Sequence, residues 1–198
     1  MSYDINTLTD QCYEGTVCLI NKLDIRDEKQ LEIAESHITL AKISMLSKNP
    51  LSGRFDFAHL KAVHKFIFED LYDWAGEIRT VDMSKKGTSF AKAEEIEILA
   101  SACFQRLKEQ NFFIGLDREA FIENMTDFYC VTNYLHPFRE GNGRAQRVFL
   151  AQLSKNAGYE MDYTKIVADD LMIATVQAAN GVDSFLKEVL KRMITPIS

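Results

Sequence analysis

Apolar side chains recur three and four positions apart along most of the chain, the spacing that gathers them on one face of an α-helix. A cluster of Asn, Pro, Ser and Gly interrupts the pattern at residues 49–53. The pattern predicts helices over residues 27–46, 56–71, 93–111, 117–135, 141–158, 164–179 and 183–193. No internal repeat or long linker divides the sequence, so we expect one domain spanning residues 1–198.

The first two helices carry the clearest start signals. Asp27 followed by Gln30 is a capping-box pattern, and Asp56 is a second candidate N-cap. The first helix is indicated by five apolar residues that recur three and four positions apart, namely Leu31, Ala34, Ile38, Ala41 and Met45.

One segment departs from the helical pattern. Residues 78–83 alternate apolar and polar side chains, and residues 84–88 are typical of a turn. This predicts a short hairpin over about residues 77–91, the one β element that the pattern indicates. The expected fold class is therefore all-α, a helical bundle with a small β-hairpin flap.

Composition narrows the function classes. With 23 Lys and Arg against 29 Asp and Glu, the net charge is −6, so the chain is a poor candidate for general nucleic-acid binding, which needs a basic face. No apolar run is long enough to span a membrane, and no signal peptide is recognisable at the N-terminus. The four cysteines form no C-x-x-C pair. We expect a cytoplasmic protein with reduced thiols and no direct contact with nucleic acid or membrane.

The segment 136–147 stands between two predicted helices and concentrates candidate chemistry. Pro137 disfavours a helical conformation at the residue before it, so the preceding helix should end there. Gly141, Asn142 and Gly143 can curve successive backbone N–H groups into a concave nest at the start of the next helix, where an anion is stabilised. Arg144 and Arg147 are three residues apart and can reach the same anion, which points to a polyphosphate site.

Two further residues of this segment suggest catalysis. His136 has an unperturbed pKa near 6.5, suited to accepting a proton from a hydroxyl, and Glu140 can hold Mg²⁺ against phosphate oxygens. Each has an ordinary structural explanation when taken singly: a packed histidine, or a carboxylate paired with Arg144. Their combination within twelve residues favours a phosphoryl-type transfer site.

The segment resembles the signature of Fic-domain proteins, H-x-F-x-[DE]-G-N-G-R-x-x-R, with every defining position filled. The resemblance extends to residues 13–16 and 21–23 in a leading segment of about residues 1–26, and to residues 68–79 before the flap. It implies a Fic-type helical bundle. It also implies transfer of AMP from ATP to a Ser, Thr or Tyr hydroxyl of a target protein, with release of pyrophosphate.

The resemblance also implies a role for each motif residue. His136 would be the general base, Glu140 the ligand of Mg²⁺, and Phe138 the anchor of the loop in the core. The nucleotide-binding residues would be Gly141, Asn142 and Gly143 around the α- and β-phosphates, Arg144 on the phosphate chain and Arg147 at its γ end.

The hairpin gains a function from the same resemblance, as a flap that pairs with an extended segment of the target. The edge would be offered by Thr80, Val81, Asp82 and Met83, and the tip near the nucleotide would carry Lys86, Gly87 and Thr88. An ordinary surface hairpin is the alternative.

Relatives suggest how such a protein is used. The resemblance implies a toxin whose target is a type II topoisomerase or, for effectors delivered into a host cell, a GTPase. Many members are inhibited by a helix carrying [ST]-x-x-x-E-[GN]; here Ser184 and Glu188 have the spacing, but Val189 follows. We therefore hypothesise inhibition in trans by a small antitoxin. Two alternatives remain: a transferase of the same fold that transfers UMP, phosphocholine or phosphate, and a non-catalytic nucleotide-binding regulator.

Overall fold

The computed structural model describes residues 4–5, 11–85 and 88–197. Within these ranges the chain forms seven α-helices: α1 (Glu28–Lys48), α2 (Phe57–Phe68), α3 (Ile96–Glu109), α4 (Arg118–Leu135), α5 (Asn142–Asn156), α6 (Ala168–Ala179) and α7 (Ser184–Met193). Five short strands accompany them: β1 (Asp4–Ile5), β2 (Met83–Lys85), β3 (Thr88–Ser89), β4 (Tyr159–Met161) and β5 (Ile194–Pro196). The predicted all-α fold class with a small hairpin is confirmed.

The predicted N-caps of α1 and α2 agree with the structure, whereas α6 begins at Ala168 and not at residue 164. The Asp27 carboxylate accepts the Gln30 N–H at 2.9 Å, and the Asp56 carboxylate accepts the His59 N–H at 2.8 Å. Asp117 caps α4 in the same way, through the Ala120 N–H at 2.9 Å. Each cap satisfies a backbone donor that the first helical turn leaves without an intrahelical partner.

The apolar row of α1 is only partly buried: Leu31 lies in the core and Ala34 and Ile38 are half-buried, but the C-terminal end of the row faces solvent. Met45 is 54% exposed and Ala41 is also exposed, whereas the buried residues of this helix are Leu31, Glu35, Thr39 and Leu46. The physical reason is that the inner face of α1 meets the polar side chains at the start of α5, where Arg144 pairs with Glu35. An inward row of polar residues is invisible to a search for apolar spacing.

The core lies where α2, α4 and α5 meet, with α3 and α7 packed on α4 and α6 packed against α7. Its centre is a cluster of three phenylalanines, in which Phe104 packs edge to face against Phe128 and Phe149. Each large aromatic ring buries much apolar surface, and burial of apolar surface is the main favourable contribution to folding. None of the helices in the described ranges has the length and apolar composition that a membrane-spanning helix needs.

The β structure is more extensive than predicted. β4 and β5 form a second, two-stranded antiparallel sheet. In the first sheet the order is β1-β2-β3, so the central strand β2 pairs on one side with β3 and on the other with β1, where Ile5 lies opposite Met83. Two-residue and three-residue strands are too short to show an alternating pattern, which is why the sequence did not reveal β1, β4 or β5.

The flap edge predicted at residues 80–83 therefore differs in the structure. Thr80, Val81 and Asp82 lie outside any strand, and Met83 is buried and pairs with β1. The Asp82 carboxylate instead accepts the Ala93 N–H at 2.8 Å, which fixes the start of the 3₁₀ turn before α3. Lys86 and Gly87 of the predicted flap tip lie outside the described residues.

Candidate active site

His136 ends α4 in a left-handed conformation, with φ 41° and ψ 57°. A non-glycine residue rarely adopts this conformation, and the strain must be balanced by the surrounding structure. Pro137 follows at once, so the chain leaves the helix and turns toward α5, as the sequence predicts. The strained backbone directs the imidazole into the space between the flap and the start of α5.

The hydrogen bonds of the imidazole define which nitrogen is basic. The Asn133 carbonyl can only accept, so Nδ1 of His136 donates its proton to that oxygen at 3.2 Å. The basic nitrogen is therefore Nε2. The ring stacks on Phe90, with centroids 3.7 Å apart and planes inclined by 11°. Asn133 and Phe90 thus orient the base, and sequence reasoning did not single out either of them.

Burial sets the charge of this imidazole. His136 is 8% exposed, and desolvation lowers its pKa from 6.5 to about 3, with a further contribution from the positive charges of Arg79 and Lys85. The unperturbed value used in the sequence argument therefore does not apply in the folded protein. At neutral pH the ring is neutral, which is the protonation state a general base needs.

Arg79 ties the base to the flap. Its guanidinium, which is 3% exposed, donates from Nε to the His136 carbonyl at 2.8 Å, from Nη1 to the Val81 carbonyl at 2.6 Å, and from Nη2 to the Ala91 carbonyl. Its backbone N–H donates to the Pro137 carbonyl at 2.8 Å. One side chain therefore joins both ends of the flap to the end of α4. The sequence offered only its membership of the stretch before the flap as a signal.

The loop between α4 and α5 is closed by the side chain of Asn142. Its Oδ1 accepts the Phe138 N–H at 2.8 Å, and its Nδ2 donates to the Phe138 carbonyl at 2.7 Å. Both ends of the amide bond within the loop, so this side chain shapes the nest, and its predicted contact with phosphate stays a prediction. What the position offers to an anion is the N-terminus of α5, whose first N–H groups lack intrahelical partners.

Phe138 lies in the core as predicted, with 1% of its surface exposed. Its ring stacks on His64 at 3.8 Å. The His64 Nδ1 accepts the Gly76 N–H at 2.9 Å, so Nε2 carries the proton and donates to the Glu140 carbonyl at 2.9 Å. His64 therefore anchors the middle of the loop to the segment that follows α2.

Gly141 is required by its geometry. It is the N-cap of α5 with φ 77°, and a Cβ at this position would lie 2.1 Å from the Phe68 ring. Any side chain would both strain the backbone and collide with a buried aromatic residue.

The acidic and basic groups of the motif contact one another. Arg144 Nη2 lies 3.4 Å from the Glu140 carboxylate, the pairing considered from the sequence, and 2.5 Å from the Glu35 carboxylate, which the sequence did not suggest. Glu140 also accepts the Gly141 N–H at 2.8 Å.

The motif residues line one cavity of about 270 Å³. It brings together His136, Glu140, Gly141, Gly143, Arg144 and Arg147 of the motif, Lys85, Thr88 and Phe90 of the flap, and Asn133, Met172, Thr175, Val176 and Ala179 from α4 and α6. Of the predicted flap residues, Thr88 lines this cavity, whereas Thr80, Val81, Asp82 and Met83 do not. The α6 wall carries no motif, so nothing in the sequence marked it.

The motif residues could hold a magnesium ion only together with phosphate oxygens of a bound nucleotide. No group of three His, Cys, Asp or Glu side chains that could hold a metal occurs in the described part of the chain, and Glu140 is the motif's single carboxylate. Mg²⁺ is commonly held by one or two carboxylates together with substrate phosphates and water. Glu140, lining the same cavity as the α5 N-terminus, meets that requirement.

Comparison with known proteins agrees with this geometry. The model of the Fic/DOC family matches residues 54–154. The chain is 34% identical over 180 residues to "Protein adenylyltransferase VbhT" of Bartonella schoenbuchensis, covering 91% of this chain and 38% of that relative. It is 32% identical over 183 residues to "Probable protein adenylyltransferase Fic" of Escherichia coli, covering 92% of this chain and 90% of the relative.

Solved structures show the same fold. The N-terminal Fic domain of a VirB-translocated Bep effector from Bartonella quintana, with bound ADP, superposes with a TM-score of 0.90 at 27% identity, over 95% of each chain. BepC from Bartonella tribocorum, with bound AMPPNP, gives 0.89 at 28% identity, over 95% of this chain and 97% of that one. The motif, the cavity and these similarities agree: the chain belongs to the Fic/DOC family.

Proposed function

We propose that this protein is an adenylyltransferase that transfers AMP from ATP to a hydroxyl side chain of a target protein and releases pyrophosphate. The observation that carries the proposal is the shared cavity, in which the neutral His136 imidazole and the N-terminus of α5 face the same space. The relatives named as adenylyltransferases, and the ADP and AMPPNP held by similar Fic structures, support it.

Each group has a defined part in the reaction. Nε2 of His136 accepts the proton of the target hydroxyl, whose oxygen attacks the α-phosphorus and forms the new P–O bond. The bond to the β-phosphate oxygen breaks, and pyrophosphate leaves with those electrons. Arg144, Arg147 and the N–H groups at the start of α5 stabilise the negative charge of the phosphates. Glu140 would hold a Mg²⁺ ion, which supplies further neutralisation when bound.

The wider biological role is also proposed. We propose that residues 1–198 act as one Fic domain, with a leading segment (1–26), a flap (77–91) and a motif loop (136–147). A toxin that acts in the bacterial cytoplasm and is inhibited in trans by a small antitoxin fits the lack of an intact inhibitory motif. The similar Bep structures are described as VirB-translocated effectors, so delivery into a host cell is the second possibility for this chain.

The test is a labelling experiment. Purified protein is incubated with Mg²⁺, a cell lysate and ATP labelled at the α- or the γ-phosphate, with labelled UTP and CTP in parallel. We expect label on protein from α-labelled ATP, and mass spectrometry of that protein identifies the target. Label from γ-labelled ATP alone would contradict adenylylation and indicate phosphorylation, and label from UTP or CTP would indicate another donor.

A variant pair connects the activity to His136. His136→Ala should lower transfer about 10²–10⁴-fold, the usual contribution of a general base, while nucleotide binding persists. His37→Ala, on the exposed side of α1, is the matched control and should retain full activity. If His136→Ala kept more than about a tenth of the transfer rate, His136 would not be the base.

A further inference from the structure

Glu35 is a buried carboxylate outside the motif. It lies on α1 and is 9% exposed. Its Oε1 lies 2.5 Å from Nη2 of Arg144, and its Oε2 accepts a hydrogen bond from the Tyr72 hydroxyl. A charged group this deeply buried is retained where its charge is paired and its oxygens are hydrogen-bonded, and both conditions hold here.

The guanidinium of Arg144 lies between two carboxylates. Glu35 approaches to 2.5 Å and Glu140 to 3.4 Å, and both contacts are made to the same nitrogen, Nη2. Nη1 donates to the Thr39 hydroxyl at 3.2 Å, and the guanidinium carbon lies 4.8 Å from the centre of the Phe68 ring. Three of these four contacts, those with Glu35, Thr39 and Phe68, come from outside the motif and hold Arg144 on the α1 side of the cavity.

The two carboxylates have different surroundings. Glu35 is enclosed by Arg144, Tyr72 and its own helix, where burial and the adjacent carboxylate raise the pKa of the Tyr72 phenol and keep it a hydrogen-bond donor. Glu140 instead lines the cavity. A metal ion near Glu140 competes with Arg144 for that carboxylate, because a carboxylate paired with a guanidinium attracts a cation less strongly.

We propose that Glu35 is a positioning residue that competes with Glu140 for Arg144 and takes the shorter contact, so that the Glu140 carboxylate remains available to a divalent cation bound with the nucleotide. The proposal rests on the proposed function, since it needs a triphosphate in the cavity. Without the charge of Glu35, Glu140 is the other carboxylate that contacts Arg144 in the described part of the chain, and Arg144 pairs with it more tightly. Metal binding then has to break that pair.

The test measures how strongly Mg²⁺ improves nucleotide binding. Calorimetry gives the Kd of the non-hydrolysable analogue AMPPNP with excess EDTA and with excess Mg²⁺, for the wild-type chain and for Glu35→Gln. Gln has the same shape and can still bond to Arg144 and Tyr72, but it lacks the charge. The measured quantity is the Kd with EDTA divided by the Kd with Mg²⁺, which states how much Mg²⁺ improves nucleotide binding. We expect this ratio to fall about tenfold in Glu35→Gln, a usual size for an outer-shell effect on metal affinity.

Two variants serve as controls. Glu32→Gln removes a charge from the exposed side of the same helix and should leave the ratio as in the wild type. In a Glu140→Gln background the Glu35→Gln change should have no further effect on the ratio, because the carboxylate for which metal and Arg144 compete is already absent. If Glu35→Gln does not fold, Glu35→Asp, which keeps the charge on a shorter side chain, should lower the ratio by a smaller factor.

The possible outcomes separate the two proposals. A wild-type ratio in Glu35→Gln, or an equal loss of affinity with and without Mg²⁺, would overturn the role of Glu35 and leave the proposed function standing. An equal effect of Glu35→Gln in the Glu140→Gln background would overturn it as well. Failure of the wild-type chain to bind AMPPNP under either condition would overturn the proposed function itself, and the role of Glu35 with it.

Discussion

Replacing His64 by Gln tests whether the motif loop is anchored by a neutral imidazole. His64 is fully buried, stacks on Phe138 and connects the Glu140 carbonyl to the Gly76 N–H. Burial, together with a smaller effect of the nearby positive charge of Arg144, lowers its pKa from 6.5 to about 4. A Gln side chain can accept one of the two hydrogen bonds and donate the other, but it does not titrate.

The size of the effect follows from the two pKa values. Below pH 6.5 the unfolded chain binds a proton at this position, whereas the folded chain does not until about pH 4. The wild-type protein therefore loses stability as the pH falls through this window, by about 1.4 kcal/mol for each pH unit and about 3 kcal/mol in all. Above pH 6.5 the imidazole is neutral in both states and contributes no pH dependence.

The stability of the His64→Gln variant relative to the wild type should therefore depend on pH. At pH 7 it lacks the ring contact with Phe138 and should be less stable than the wild type by about 1–2 kcal/mol. As the pH falls to 4.5, the wild type loses stability because His64 is protonated only in the unfolded chain. The variant has no titrating group at this position and does not lose stability in this way. The difference in the free energy of unfolding should therefore shrink to about zero or change sign.

Urea unfolding of both proteins between pH 4.5 and 7.5 measures this difference directly. The other titrating groups, including His59 and His136, are present in both proteins and cancel in the comparison. His37→Gln, at an exposed position of α1, is the control for a histidine that the fold does not bury. A wild-type minus variant difference that stays constant over this range would refute the argument that the fold requires His64 to be neutral.

Two further variants test how the base and the nest are held. Arg79→Met removes donors from three carbonyls and should destabilise the fold by roughly 3–5 kcal/mol in urea unfolding. It should also slow AMP transfer at least about tenfold, with AMPPNP affinity preserved and partial rescue by added guanidinium. The exposed Arg54→Met is its control, and full activity in Arg79→Met would contradict the assigned role. Gly141→Ala forces a Cβ into a left-handed backbone conformation and against the Phe68 ring, so it should lower the free energy of unfolding by about 2–4 kcal/mol. Thermal unfolding measures this change, and an unchanged melting temperature would show that the loop adapts.

The helices and the motif were predictable because their signals are local. Asp27 and Asp56 act on backbone groups three residues away, and the motif residues from His136 to Arg147 are contiguous enough that one turn and one helix start bring them together. Such signals can be found within a single stretch of sequence, and no tertiary contact is needed to interpret them.

The contacts that sequence reasoning missed join distant parts of the chain. Glu35 and Arg144 are 109 residues apart, and Arg79 and His136 are 57 apart. Neither pair has a pattern, since one buried Glu or Arg looks the same in a sequence as an exposed one. The pKa of His136 was missed for the same reason, because desolvation depends on Phe90 and the flap closing over the ring.

The missed contacts explain why the short loop can hold a reactive geometry. AMP transfer requires the base, the target hydroxyl and the α-phosphate to be placed within a fraction of an ångström of the reactive geometry. A loop with two glycines is not stiff enough to provide that placement by itself. Arg79 holds the start of the motif loop at His136, and His64 holds its middle at Glu140. Glu35 holds Arg144 in the first turn of α5. The three come from the flap base, α2 and α1, so the precision of the motif arises from the bundle around it. A graft of residues 136–147 onto another helix pair would contain the reactive side chains but would lack the three contacts that hold them in place.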